Sequence, residues 1–168
     1  HVLTRDLIED DGFLEMSVRL QTSSSDEEGA FAGFVFAAIG KDNEYRDNLE
    51  DNTFVRVGLT GQRELAIGDS VSSATVSSAV LGDAHLHFRA ECLGSRAHIA
   101  LAVPAGTDPD GEPIATFSHT VEHTPLVGNL ALTANGRMDC RFRDWVIRGD
   151  KVAKRPERRF GPVLWTQY

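Results

Sequence analysis

The sequence predicts an all-β fold, a sandwich or jelly roll built from two antiparallel sheets. Apolar and polar residues alternate along many short segments, and turn residues, often glycine, separate those segments. No stretch of about 10 residues or more has the periodicity of an amphipathic helix. With 168 residues the chain is long enough for one domain with a sizeable core.

The alternation begins in segment 12–21, where Leu14, Met16, Val18 and Leu20 point to one side and the polar residues between them to the other. Further strands are expected at 30–39, 53–60, 63–67, 85–92, 96–103, 113–120, 126–133 and 138–148. Three hairpins are expected among them, with turns at Gly61, at Gly94 and at Asn135-Gly136. The intervening segments 23–29, 41–52 and 71–78 are polar or small and are expected to be loops.

The alternation ends at Gly149, which divides the chain into two regions. Residues 1–150 are predicted to form the sandwich domain. Residues 151–168 begin with a basic stretch and end with an apolar one, which is typical of a linker or docking strap toward a following domain. We therefore expect the natural protein to continue beyond Tyr168.

Charge and cysteine content exclude several classes of partner. The 17 basic and 25 acidic side chains give a formal net charge of −8, which repels nucleic acids and anionic membranes. No apolar run approaches the roughly 20 residues of a membrane-spanning helix. Cys92 and Cys140 belong to no metal-binding or redox pair, and their apolar positions leave either buried thiols or a single disulfide open.

A polar face on the predicted strands is the candidate binding site. Its planar and cationic side chains suit a sugar or an anionic polysaccharide, and they equally suit an interface with a neighbouring domain. Trp145 and Tyr45 are the candidate stacking rings, although the pattern allows a core position for Trp145 as well. The predicted ligand-binding residues are Tyr45, His85, His87, Arg89, His98, Arg141, Arg143 and Trp145, with Arg19 and Arg96 on the same face.

No cofactor and no catalytic residue are expected in this chain. His85, His87 and His98 are retained as an alternative zinc site, and Asp108 to Gly111 as an alternative calcium loop that is also explained as a simple turn. The paired carboxylates of glycoside hydrolases and the nucleophile motifs of other hydrolases are absent from the sequence.

Two resemblances point to a family. Segment 86–103, the GNLAL of 128–132 and the closing RFRDWVI of 141–147 resemble the end of a concanavalin A-like or laminin-G-like sandwich. The segments 2–7, 12–20, 142–152 and 160–168 resemble the region before the catalytic domain in bacterial alkaline phosphatase D-type (PhoD-like) metallophosphoesterases. The second resemblance implies an exported, extracytoplasmic protein whose metal-bearing catalytic residues lie beyond Tyr168.

The sequence therefore predicts a non-catalytic accessory module of an exported bacterial hydrolase, which binds carbohydrate or packs on a catalytic domain. The alternative prediction is part of a metal-dependent phosphoesterase or a glycan-active hydrolase, with the histidines as the metal site.

Overall fold

The fold is described from a computed structural model of the chain, covering residues 5–7, 11–39, 53–105, 111–122 and 128–150. These residues form strands β1 to β11 and a short 3₁₀-helix, Val80–Gly82. The strand bounds are β1 Arg5–Leu7, β2 Gly12–Thr22, β3 Phe31–Ile39, β4 Thr53–Thr60, β5 Glu64–Ile67, β6 Ser70–Thr75, β7 Ala84–Leu93, β8 Arg96–Pro104, β9 Pro113–Glu122, β10 Gly128–Asn135 and β11 Cys140–Gly149. None of the described residues belongs to a helix long and apolar enough to cross a membrane.

The strands pair into two antiparallel sheets. The six-stranded sheet has the order β1-β10-β3-β4-β5-β6, and the five-stranded sheet has the order β11-β2-β7-β8-β9. Each sheet contributes one apolar face to a shared core, as a sandwich requires. The predicted all-β, two-sheet antiparallel sandwich is confirmed.

The core follows from the alternation in the sequence. Leu14, Met16, Val18 and Leu20 of β2 are completely buried, and the residues between them are partly exposed. Phe88 of β7 lies at the centre of the contact between the sheets. Its ring centroid is 5.2 Å from that of Phe34 and 5.8 Å from that of Phe36, both on β3 of the other sheet.

Strands β6 and β9 are the last strands of their sheets on one lateral side of the sandwich. His119 Nε2 of β9 and Ser70 Oγ of β6 form a hydrogen bond of 3.0 Å between the two sheets. The ring of His119 also lies parallel to that of Phe117, which packs against the core. Strand β11 is the last strand on the opposite side of the five-stranded sheet.

Two local predictions are corrected by the structure. Part of the predicted loop 71–78 belongs to strand β6, which lacks apolar alternation because it is a sheet edge on which only Ser72 is buried. The hairpins at Gly61 and Gly94 are confirmed, but β10 and β11 do not form one, since they belong to different sheets. The chain instead changes sheets after Asn135.

The turn that connects these two strands depends on close packing at Gly136. Gly136 and Arg137 have positive φ angles of 72° and 54°, so the turn lies one residue later than the Asn135-Gly136 pair suggested. A Cβ atom on Gly136 would overlap the Cα of Ala30, so any other residue would require a shift of the backbone. Glycine is therefore required where the chain crosses to the second sheet.

The two cysteines lie at opposite ends of the five-stranded sheet. Cys92 is paired with Gly12 and Cys140 with Thr22, the first and last residues of β2. An extended strand of that length spans about 33 Å, whereas a disulfide requires Cα atoms within about 7 Å. Of the two possibilities left open by the sequence, the structure has thiols and no bridge between them.

Three predictions lie outside the described residues: the stacking role of Tyr45, the calcium loop at Asp108, and the linker or strap 151–168. They stay predictions. Strand β11 ends at Gly149, where the alternation in the sequence also ends.

Candidate functional site

The face of the five-stranded sheet that points away from the core is polar; we call it the outer face. Alternation along the strands places the side chains between the core residues on this side. The structure thus brings together from four strands the residues that the sequence assigned to one face: Arg19, His85, His87, Arg89, Arg96, His98, Arg141 and Arg143.

An irregularity in the pairing of β11 places Arg148 on the outer face, where the sequence did not predict it. Arg143 is paired with Arg19 and Arg148 with Glu15, and a β-bulge lies between Arg143 and Val146. Simple alternation puts Arg143 and Arg148 on opposite faces because their spacing is odd, but the extra residue of the bulge restores Arg148 to the outer face. Nothing in the sequence marks the bulge.

Arg141, Arg143 and Arg148 therefore form a line along the edge of the outer face, which we call the arginine row. All three side chains are exposed. Their partners on β2 are Gln21, Arg19 and Glu15, so the row extends over six residues of a regular strand, or about 20 Å. Within the described part of the chain, none of the three arginines forms an ion pair.

The bulge also decides the direction of Trp145. Val146 is paired with Ser17 of the outer face, so the preceding side chain points inward, and the half-buried Trp145 packs against the core. Its indole Nε1 is buried and has no hydrogen-bond partner among the described residues. Its ring is therefore directed to the core and not to the outer face, where a stacked sugar would lie.

Two of the predicted binding side chains lie beside carboxylates of the same face. His87 Nε2 lies 2.8 Å from Glu15 Oε1. Arg89 Nε donates to Glu91 Oε1 at 2.8 Å, and its guanidinium carbon lies 4.4 Å from the ring centroid of Phe13. A ligand that uses either side chain must compete with these contacts.

The other candidate side chains of β7 and β8 are His98, Arg96 and His85, and they differ in their contacts and burial. His98 is exposed, and its Nδ1 lies 3.1 Å from Thr120 Oγ1. Arg96 is at the far corner of the sheet, where its Nε lies 3.7 Å from Glu122 Oε1. His85 shares the outer face by register, but its side chain is only 6% exposed and does not present a surface to a ligand.

Arg19, beside the arginine row, is neutralised by aspartates. Its guanidinium binds both carboxylate oxygens of Asp83, which follows the 3₁₀-helix, and its Nη1 lies 4.0 Å from Asp144 Oδ2 in the bulge. The hydrogen bond to Arg19 holds the pKa of Asp83 below its ordinary value, and the positive charge of Arg143 acts in the same direction. The hydrogen bond to Asp83 likewise raises the pKa of Arg19.

An open cleft of about 520 Å³ adjoins the row at the start of β11. Cys140 lies in this cleft, with its Sγ 3.0 Å from Thr22 Oγ1, and burial raises the pKa of the thiol. At neutral pH the thiol is therefore uncharged, and Arg141 supplies the positive charge of the cleft. The lining residues are Gln21, Thr22, Ser23, Asp139, Cys140 and Arg141.

The alternative zinc site is not formed by the described residues. No group of three or more histidine, cysteine, aspartate or glutamate side chains among them is arranged to hold a metal ion. His85, His87 and His98 are all described, and the first is buried while the other two are bound to separate neighbours.

The sequence matches no protein-family model, and the search of curated proteins finds no match.

Proposed function

We propose that this chain is a non-catalytic binding module whose arginine row holds an anionic carbohydrate, and that it serves as an accessory module of an exported bacterial hydrolase. The observation that carries the binding proposal is the alignment of Arg141, Arg143 and Arg148, exposed and without ion pairs among the described residues. The setting in an exported hydrolase is supported by the sequence resemblance alone.

The chemistry of the row favours an acidic ligand. A guanidinium group binds a carboxylate or a sulfate with two parallel hydrogen bonds, and its charge is permanent at physiological pH. Gln21, directly beside Arg141, supplies an amide that donates to or accepts from sugar hydroxyl groups. A row along a sheet edge suits an extended chain better than a small globular ligand.

The spacing of the row favours a polysaccharide over a nucleic acid. Arg141 and Arg143 are two strand residues apart, or about 7 Å. Arg143 and Arg148 are paired with Arg19 and Glu15 of β2, which are four residues apart, so these two arginines are separated by about 13 Å. Double-stranded DNA has one negative charge about every 1.7 Å, so most of its phosphates would face this acidic chain without a cation. Polysaccharides with acid groups on separate sugar rings match the sparse row.

The experiment is affinity electrophoresis of the purified chain through gels that contain heparin, alginate or neutral dextran. We expect retardation by heparin or alginate and none by dextran. The double variant Arg141→Gln, Arg143→Gln removes two charge-assisted contacts, each of about 1.5–3 kcal/mol, so the dissociation constant should rise at least about a hundredfold. Added salt should weaken binding because the contacts are exposed.

Arg96→Gln is the control, since it removes one positive charge from the same face three strands away. It should leave binding unchanged. A loss of binding free energy in Arg96→Gln of half that in the double variant or more would show that binding depends on overall charge, which rejects the row as the site. The absence of retardation by both acidic polysaccharides would reject carbohydrate binding and leave packing against a neighbouring domain.

A further inference from the structure

Strand β9 is the edge of the five-stranded sheet opposite the arginine row. Its pairing with β8 runs without interruption from Arg96 and Glu122 to Val103 and Ala115. The side chains of β9 that point away from the core are exposed. The backbone groups on the other side of this strand therefore form a long, regular edge with no partner strand among the described residues.

The other three sheet edges have features that discourage pairing with another strand. Strand β1 has three residues, and strand β6 has six and pairs irregularly with β5. Strand β11 contains the bulge and the arginine row. By contrast, β9 has no charged residue and no bulge from Ala115 to Val121, and the irregularity in its pairing lies at its start, at Ile114. Natural proteins usually protect exposed edges with charges, prolines or bulges.

We infer that β9 is the docking edge for a second copy of this chain, with the two β9 strands antiparallel and the two five-stranded sheets joined into one. The segment is compatible with itself in this arrangement. With Ser118 on the two-fold axis, Thr116 of one copy faces Thr120 of the other, and Phe117 faces His119. Hydroxyl pairs and aromatic pairs are favourable across antiparallel strands, and no charged residues meet.

Charge favours a second copy at this edge over other parts of its surface. Two chains that each have a net charge of −8 repel each other, so contact is least unfavourable where both surfaces are uncharged. The only acidic residue of β9, Glu122, lies 3.7 Å from Arg96 of the same chain. Salt should therefore strengthen the dimer by screening the repulsion, the opposite of its effect on the arginine row.

Analytical ultracentrifugation over a range of chain and salt concentrations tests the dimer. We expect a monomer–dimer equilibrium that shifts toward the dimer as salt is added. Ser118→Lys places a charge on the edge, where two lysines would meet, and should leave only monomer. Ala100→Lys is the matched control, because Ala100 is exposed on the same face and is paired directly with Ser118, one strand from the edge.

Hydrogen exchange supplies a second readout that does not need a variant. The β9 amides that point to the open edge should become protected as the chain concentration rises, whereas those of β11 should not change. A chain that remains monomeric at about 1 mM, the weak end of specific association, would overturn the inference. So would a dimer that persists in Ser118→Lys or is lost in Ala100→Lys. Since β9 and the arginine row lie on opposite edges, carbohydrate binding can fail or succeed independently of this result.

Discussion

Replacing Phe88 by alanine tests the packing between the two sheets. The side chain is completely buried, and its ring contacts Phe34 and Phe36 of the opposite sheet at centroid distances of 5.2 and 5.8 Å. Truncating a buried phenylalanine costs about 3–5 kcal/mol, from lost burial and from the cavity that remains. Because two ring contacts are also lost, we expect a value in the upper part of that range, about 4–5 kcal/mol.

Urea unfolding followed by circular dichroism measures this loss. For a domain of this size each kcal/mol of lost unfolding free energy lowers the melting temperature by about 2–4 °C. The loss in Phe88→Ala should therefore lower the melting temperature by about 8–20 °C. Leu93→Ala is the control, since Leu93 is 72% exposed at the end of the same strand. Its effect should stay within about 0.5 kcal/mol.

The slope of the unfolding free energy against urea should be the same for both variants and the natural chain, which shows that the comparison concerns stability alone. Phe88→Leu, which keeps part of the volume, should lose less than Phe88→Ala. Equal and small losses in Phe88→Ala and Leu93→Ala would refute the burial of β7 between the sheets. The sandwich itself would then be wrong.

Two further variants test other parts of the structure. In thermal melts Gly136→Ala should lower the melting temperature clearly more than Gly94→Ala. Both glycines have positive φ, but a Cβ on Gly136 meets Ala30, whereas nothing lies within 4 Å of a Cβ on Gly94. Equal losses would contradict the close approach at Gly136. Asp83→Asn tests the ion pair between Asp83 and Arg19. The folded chain holds the pKa of Asp83 below its ordinary value of 3.8, so the carboxylate stabilises the fold above that pH. This contribution is lost as the pH falls through the lowered pKa. The difference in melting temperature between the natural chain and Asp83→Asn should therefore be largest near neutral pH and shrink in acid, and a difference that grows in acid would refute the pairing.

The sequence predicted the sandwich well because apolar core residues recur at every second position of β2, β7 and β8. Leu86, Phe88, Ile99 and Leu101, whose exposure would have contradicted the prediction, are at most 1% exposed. The same alternation correctly grouped the outward arginines and histidines of four strands on one face. Here the period of two determines both the core and the face opposite to it.

Features set by pairing between distant segments were not predictable. Strand β6 has almost no buried side chains, so no pattern marked it. Asn135-Gly136 indicated a hairpin, but the hydrogen-bond partners of β10 and β11 are β3 and β2, which no local signal shows. The bulge after Arg143 restores Arg148 to the outer face and directs Trp145 to the core, so on β11 the outer face differs from the predicted set at these two residues.

The strand order also has a consequence for synthesis on the ribosome. Strands β2 and β3 emerge early, yet Gln21 pairs with Arg141 and Phe34 with Leu132, residues made near the end of the described chain. Pairing between segments so far apart in sequence is slow, because a long loop must close before any contact offsets its entropy. The nascent chain therefore exposes the edges of β2 and β3 that β11 and β10 later cover, until those strands leave the exit tunnel. Unpaired strand edges of this kind make a folding chain prone to aggregation.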